Sequence, residues 1–138
     1  MLLLSLAGYA PVRAECTKWP WPDLAKALRD GDTRTIASMI GGGRVSLNID
    51  GIPPGSYTAA QAGRLLGGFF KSTTARRVEY RGCGASGMIR WADAVLFYRV
   101  AGSAHRVEER ILLEMCGSGE DAVLCGMRSA SPPQLSAS

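Results

Sequence analysis

The sequence predicts a single α+β domain in which three N-terminal helices pack on an antiparallel sheet of about five strands. Two patterns carry this prediction. Apolar residues recur at helical spacing in three segments before residue 72, and from residue 75 onward they alternate with polar residues. A block of helices followed by a block of strands is typical of the α+β class. The length of 138 residues and a hydrophobic content of 46% suit one domain with an ordinary core.

Two short helices are expected to open the domain. Asp23 is placed to cap a helix over DLAKALRD, which Gly31 ends. A second helix is expected over TRTIASMI, and the three glycines at 41–43 end it. Each segment has one apolar face, so both helices are predicted to pack on the same core.

A strand and a longer helix follow. RVSLNID, residues 44–50, alternates apolar and polar side chains, which predicts a half-buried strand. Thr58 and Gln61 have the spacing of a capping box, so the third helix is expected to begin there and to run through AAQAGRLLGGFFKST. The IPPGS segment between the strand and the helix is expected to be a turn.

Four consecutive strands are predicted between residues 75 and 128. Their segments are ARRVEYRG (75–82), MIRWADAVLFYRV (88–100), HRVEERILLEMC (105–116) and AVLCGMR (122–128). Because the connections are short, consecutive strands are expected to pair antiparallel as a meander.

Residues 1–14 are expected to be a secretory signal peptide. The apolar run MLLLSLAGYA precedes Val12 and Ala14, which occupy the −3 and −1 positions of a cleavage site. The run lacks a basic n-region, which indicates a start upstream of Met1. It is also shorter than the roughly 20 residues that cross a bilayer, so no stable membrane insertion is expected. The alternative is a buried N-terminal helix or strand. The remaining chain divides into a lead-in over residues 15–22, the domain over 23–129 and a flexible tail over 130–138.

Export, to the periplasm or the exterior, would place the four cysteines in an oxidising compartment where disulfides form. Four cysteines allow three pairings. A hairpin turning near residues 119–121 would bring Cys116 opposite Cys125, which leaves Cys16 and Cys83 as the second pair. Free buried thiols are the alternative. No CxxC pair is present and the chain has one histidine, so no metal site is expected.

The order of elements, with ALRDGDTRTIASMI ahead of a strand, resembles the nuclear-transport-factor-two-like (cystatin-like) superfamily. In that superfamily a curved antiparallel sheet wraps around helices as a cone with a cavity at its open end. YTAAQAGRLLGGFF resembles the third helix of a family of small exported bacterial domains of unknown function. There an aromatic residue, a capping Ser or Thr, Gln-Ala and a Phe-Phe pair recur. The resemblance spans residues 23–129 and implies a cone-shaped fold, but it transfers no functional residue.

Two carboxylates are candidate catalytic groups because each lies on an apolar strand face. The superfamily that the chain resembles includes enzymes that keep an Asp or His in the cavity. Asp93 shares a strand face with apolar side chains, where desolvation would raise its pKa and suit it to general acid or base chemistry. Glu109 shares a face with Val107 and Ile111 in the same way. The opposite face of the long strand is equally apolar, which leaves open the face that looks inward. The alternative for Asp93 is a strand-edge or dimer-interface residue paired with an arginine.

A basic strand is the candidate binding surface. The formal net charge is +4, and Arg76, Arg77 and Arg81 cluster in one strand. Such a patch attracts an anionic small molecule, an acidic glycan or lipid headgroups. Together with Trp91 and Asp93 these arginines are the predicted ligand-binding residues. The alternative is a solvated face with local ion pairs.

The leading functional prediction is an exported domain that binds a small molecule or protein without catalysis, through its cavity or its basic strand face. It needs no cofactor, and no nucleic-acid partner is expected. The alternative is a cofactor-free enzyme resembling isomerases, dehydratases or cyclases. It would use Asp93, with Glu109, Tyr80 or Tyr98 as further groups. A third hypothesis is a homodimer that buries an apolar sheet face against its twin.

Overall fold

A computed structural model describes residues 14–130 and 134–136 of the chain. The predicted signal peptide, apart from Ala14, lies outside the described residues. The helices are α1 (Trp21–Asp30), α2 (Thr33–Ile40) and α3 (Ala59–Lys71). The strands are β1 (Arg44–Asn48), β2 (Gly55–Thr58), β3 (Thr73–Ser86), β4 (Ile89–Val100), β5 (Arg106–Cys116), β6 (Val123–Ser129) and β7 (Gln134–Ser136). A 3₁₀ turn at Gly119–Asp121 connects β5 and β6.

Local capping explains where the helices begin and end. The side chain of Thr58 accepts from the Gln61 backbone N–H at 3.3 Å, and the Gln61 side chain accepts from the Thr58 N–H at 2.9 Å. This is the predicted capping box of α3. Gly31 ends α1 in the left-handed conformation with φ 70°, and the Asp32 side chain caps α2. Helix α1 begins before the predicted Asp23 cap, because proline is tolerated in a first turn.

The strands form one sheet with the order β2-β1-β6-β5-β4-β3. The prediction of about five strands misses β2, a four-residue edge strand with no buried side chain, which lies where a turn was expected. Its sequence is too short to show an alternating pattern. The expectation of a purely antiparallel sheet is also wrong, because β1 pairs with β6 in parallel. Which distant strand lies beside β1 depends on long-range packing that no local pattern encodes.

Strand β7 lies within the segment 130–138 for which the sequence predicts a tail. It pairs antiparallel with the first three residues of β5, Arg106–Glu108, beyond the point where β6 ends. Three residues of this segment therefore belong to the sheet.

The helices cover one face of the sheet, and the side chains between them form the core. On β4 the core set is Ala92, Ala94, Leu96 and Tyr98, which are buried in one cluster with residues of all three helices. The alternate set of β4, which contains Trp91, Asp93 and Phe97, lies on the opposite face, called here the outer face. Register shifts in the β3–β4 and β5–β6 pairs mark bulges, which bend the sheet around the helices.

Two disulfides join the four cysteines in the predicted pairs. Cys16 and Cys83, with Cα atoms 5.2 Å apart, tie the N-terminal segment to β3. Cys116 and Cys125, with Cα atoms 5.8 Å apart, tie the end of β5 to β6 across the 3₁₀ turn. Disulfides of this kind indicate an oxidising environment. Among the described residues, no helix is both long and apolar enough to span a bilayer.

Candidate functional site

Asp93 lies on the outer face of the sheet and does not enter the core. Its carboxylate accepts a hydrogen bond from Arg110 Nη2 at 2.9 Å, and the pair is partly exposed to solvent. Asp93 is directly opposite Leu112 in the β4–β5 register, whereas Glu109 is opposite Leu96. Since Asp93 and Leu96 point to opposite faces of β4, Asp93 and Glu109 lie on opposite sides of the sheet. The structure does not bring the two predicted catalytic carboxylates together.

Trp91 also lies on the outer face, where its indole covers Gly84 of β3. A Cβ atom at residue 84 would lie 2.6 Å from Trp91 Cζ2, so this position admits only glycine without a shift. Trp91 lies on the same face as Asp93, two residues away. Its contacts are with the sheet itself, and it forms no wall of the cavity described below.

Arg76 faces the helices, away from the outer face. Its guanidinium donates to the carbonyl oxygens of Leu28, Phe70 and Thr73 at 2.7 to 3.2 Å, and it lies 5.1 Å from the centroid of the Phe70 ring. Leu28 and Phe70 lie in the last turns of α1 and α3, so the cation satisfies carbonyl groups that a helix end leaves unpaired, and it also binds the first residue of β3. Arg76 is therefore a structural residue, and the predicted basic patch loses one of its three members. Arg81 remains exposed.

A bulge in β3 determines which of Arg76 and Arg77 points to the outer face. Thr74 is opposite Arg99 and Arg77 is opposite Phe97, so β3 carries one residue more than β4 in this stretch. Ala75, in the bulge, has φ 52°. Because of the extra residue, Arg77 is in register with Phe97 and lies on the outer face. Its guanidinium stacks over the Phe97 ring at 4.3 Å and forms an ion pair with Glu79 at 3.2 Å.

A small cavity on the outer face brings three arginines together. It has a volume of about 80 Å³ and is lined by Ala75, Arg77, Phe97, Tyr98, Arg99 and Arg106. We call it the basic cavity. Arg99 and Arg106 are directly opposite each other in the β4–β5 register. The Nε atom of Arg99 is buried and has no hydrogen-bond partner within the described part of the chain. Arg99 and Arg106 were not among the residues predicted from the sequence.

Glu109 is fully buried on the inner side of the sheet and accepts three hydrogen bonds. Its Oε2 accepts from the Asp50 backbone N–H at 3.1 Å and from the Ser129 hydroxyl, and its Oε1 accepts from the Tyr98 hydroxyl at 3.2 Å. We call this set the carboxyl network. Burial, together with the Glu109 carboxylate, raises the pKa of Tyr98 above its usual value, so the phenol stays protonated as a donor at neutral pH.

An open groove of about 300 Å³ passes over the carboxyl network. It is lined by Asn48, Ile49, Asp50, Gly51, Ile52, Pro54 and Ser129. Ser129 and Asp50 belong both to the groove wall and to the network, so Glu109 lies directly behind that wall. Tyr80 is not part of this set. Its hydroxyl donates to the Trp21 carbonyl oxygen, and burial raises the pKa of Tyr80.

No protein-family model matches the chain, and no curated protein sequence matches it. Solved structures with a similar backbone exist. A DUF4783 family protein from Bacteroides uniformis has a TM-score of 0.65 and 14% identity, over 83% of this chain and 98% of that chain. A DUF4783 family protein from Bacteroides ovatus has a TM-score of 0.61 and 12% identity, over 77% and 89%. An LEH-like epoxide hydrolase from Mycobacterium tuberculosis has a TM-score of 0.58 and 15% identity, over 76% and 74%.

These similarities show the fold of the chain. It is the nuclear-transport-factor-two-like fold, as the resemblance in the order of elements implies, and the neighbours include small bacterial domains of unknown function. At 15% identity or less they transfer no activity and no site residue.

Proposed function

We propose that the protein is exported and that it binds an anionic ligand, without catalysis, at the basic end of its outer sheet face. The observation that carries the binding proposal is the basic cavity, where three arginine residues line one depression. Arginine presents several donors in a planar fork and is suited to carboxylate and phosphate groups. The exposed Arg81 adds positive charge to the same strand, β3, and would steer anions toward the cavity.

The two disulfides support export. A chain that carries both bridges is suited to a periplasmic or extracellular compartment, where thiols are oxidised. The predicted signal peptide at residues 1–14 would direct the chain there. Secretion of a fusion that begins at the natural start of the protein, with cleavage after Ala14, tests this part of the proposal. Retention of that fusion in the cytosol with free thiols would contradict it.

Charge reversal at the basic cavity is expected to weaken binding to a polyanion more than the loss of overall charge explains. Arg99→Glu should elute from a sulfated-polysaccharide column at clearly lower salt than Arg34→Glu, although both changes alter the net charge equally. Arg34 is an exposed residue of α2, on a helix and away from the sheet. Equal elution of the two variants would show that only net charge matters and would contradict the proposed surface.

The carboxyl network supports a second candidate function, an enzyme with Glu109 as general base and Tyr98 as general acid. The observation that favours an enzyme is that the hydroxyls of Tyr98 and Ser129 both donate to the Glu109 carboxylate. Its access route would be the groove beside Ser129. One structural neighbour is named as an LEH-like epoxide hydrolase, so this fold can carry an active site.

Turnover by the wild-type chain and its Tyr98→Phe variant separates the two candidates. The assay would follow isomerisation or dehydration across small carbonyl and hydroxy compounds. An enzyme of this kind should lose about 100-fold in rate when the phenol is removed, since general acid catalysis contributes that much. Ser103→Ala, on the β4–β5 turn, is the control. The binding proposal expects no turnover by any of the three chains.

A further inference from the structure

We infer that the basic cavity holds one compact tetrahedral oxyanion, the phosphoryl group of inorganic phosphate or of a phosphate monoester. This inference rests on the proposed anion-binding function and names the chemical class of its ligand. It is carried by the positions of Arg77, Arg99 and Arg106, by an unsatisfied buried donor, and by the size of the cavity.

The sheet places two like charges opposite each other. Arg99 and Arg106 are a directly opposed pair on neighbouring strands and share the outer face. Like charges in this arrangement are destabilising. Neither guanidinium forms an ion pair within 4 Å in the described ranges 14–130 and 134–136. An anion between them would turn a repulsive pair into an attractive site.

Arg99 carries a donor that the described chain leaves unsatisfied. Its Nε atom is buried and unpaired, and a buried unpaired donor costs about 1 to 3 kcal/mol. A bound oxyanion would satisfy this donor by a charge-assisted hydrogen bond once the Arg99 side chain turns Nε toward the cavity.

Arg77 reaches the same cavity from β3 with its guanidinium already oriented. The bulge turns it outward, and the Phe97 ring supports it at 4.3 Å. Glu79 neutralises part of its charge at 3.2 Å. Glu108, on the outer face of β5 opposite Phe97, is the other nearby carboxylate. Three arginines against these two acids leave a net positive site, with Arg99 and Arg106 as its main donors.

The shape of the site favours a tetrahedral group. A volume of about 80 Å³ suits a compact group such as a phosphoryl, and the rest of a larger ligand would lie outside the cavity. Donors come from three strands, β3, β4 and β5. A tetrahedral oxyanion presents its oxygens in several directions, which suits donors from three strands better than the two coplanar oxygens of a carboxylate.

Calorimetric titration with inorganic phosphate tests the inference directly. The wild-type chain should bind one phosphate per molecule, and Arg99→Gln and Arg106→Gln should each weaken binding at least 10-fold. Arg34→Gln, which removes the same charge from α2, should bind like the wild type. Arg106 is exposed, so its variant should fold even if a change at the partly buried Arg99 disturbs β4.

Two further arms identify the source of the phosphoryl group. If glycerol phosphate binds as tightly as inorganic phosphate, the source of the phosphoryl group is a soluble monoester or free phosphate. If vesicles of phosphatidic acid capture the chain and vesicles of phosphatidylcholine do not, the source is a lipid headgroup. Either result upholds the phosphoryl site if Arg106→Gln abolishes it.

The failure of this inference differs from the failure of the proposed function. If phosphate does not bind saturably but Arg99→Glu still elutes earlier than Arg34→Glu from the polyanion column, the phosphoryl site is overturned. The proposed anion-binding surface then still stands. Absence of both effects overturns both. If Arg34→Gln weakens phosphate binding as much as Arg106→Gln does, the assignment to this cavity is also overturned.

Discussion

Glu109→Leu is expected to lower the free energy of unfolding by roughly 3 kcal/mol or more, because it removes the acceptor of three donors at once. The Asp50 N–H and the hydroxyls of Tyr98 and Ser129 all donate to this carboxyl. Tyr98 is buried and has little access to water as a replacement partner. Leucine fills a similar volume, so the lower free energy of unfolding reflects the missing hydrogen bonds and not the creation of a cavity.

Glu109→Gln is the matched control for this prediction. The amide oxygen can still accept from Asp50 and Ser129, and the amide nitrogen can donate to Tyr98 once its hydroxyl turns. A cost of about 1 kcal/mol is therefore expected. Urea denaturation of the wild type and both variants measures the difference. Equal stability of the leucine and glutamine variants would show that the network does not stabilise the fold.

Removal of the Cys16–Cys83 disulfide is expected to cost about 4 kcal/mol, the larger of the two disulfide effects. The two cysteines are separated by 67 residues, so the bridge restricts a long loop in the unfolded chain. It also holds the N-terminal segment against β3, the edge strand of the sheet. Cys16→Ala/Cys83→Ala should therefore unfold at a much lower urea concentration than the wild type.

The second disulfide provides the internal control. Cys116 and Cys125 are separated by 9 residues, and the same loop-entropy relation gives about 2.6 kcal/mol for Cys116→Ala/Cys125→Ala. The expected order is wild type, then the variant without the short loop, then the variant without the long loop. The reverse order would mean that the N-terminal segment is not tied to the sheet as described.

Local signals predicted the helices and most strands, because caps and periodicity depend on neighbouring residues. The capping box at Thr58 and the left-handed Gly31 are such signals, and both lie at helix ends as expected. Strand β2 and the parallel pairing of β1 with β6 had no local signal. Long-range packing determines both features.

The inward face of β4 could not be predicted, since Ala92, Ala94 and Leu96 are no more apolar than Val95 and Phe97. Asp93 therefore remained a cavity candidate, and the structure places it beside Arg110 on the outer face. The hydrogen-bond partners of Glu109 come from β4, β6 and the loop after β1, so only the assembled sheet brings them together.

One part of the basic cavity, the pairing of two of its arginines, could be predicted from the sequence. The segment YRVAGSAHRVE repeats Arg-Val on either side of the turn, and a hairpin centred there places Arg99 opposite Arg106. The third arginine could not be found in this way. Arg77 reaches the outer face only because of the bulge after Thr74, and an unbroken register would have turned Arg76 outward in its place.

Side-chain NMR of the arginine Nε–H groups during a phosphate titration tests anion binding at the basic cavity most directly. We expect the Arg99 signal, and with it the signal of Arg106, to shift along one saturating curve while that of Arg34 stays in place. Matched additions of sodium chloride should not reproduce the shift, because a site of three converging donors selects a compact oxyanion over bulk ionic strength. Small, unsaturated shifts at all three arginines, equal in phosphate and in chloride, would contradict the proposed site.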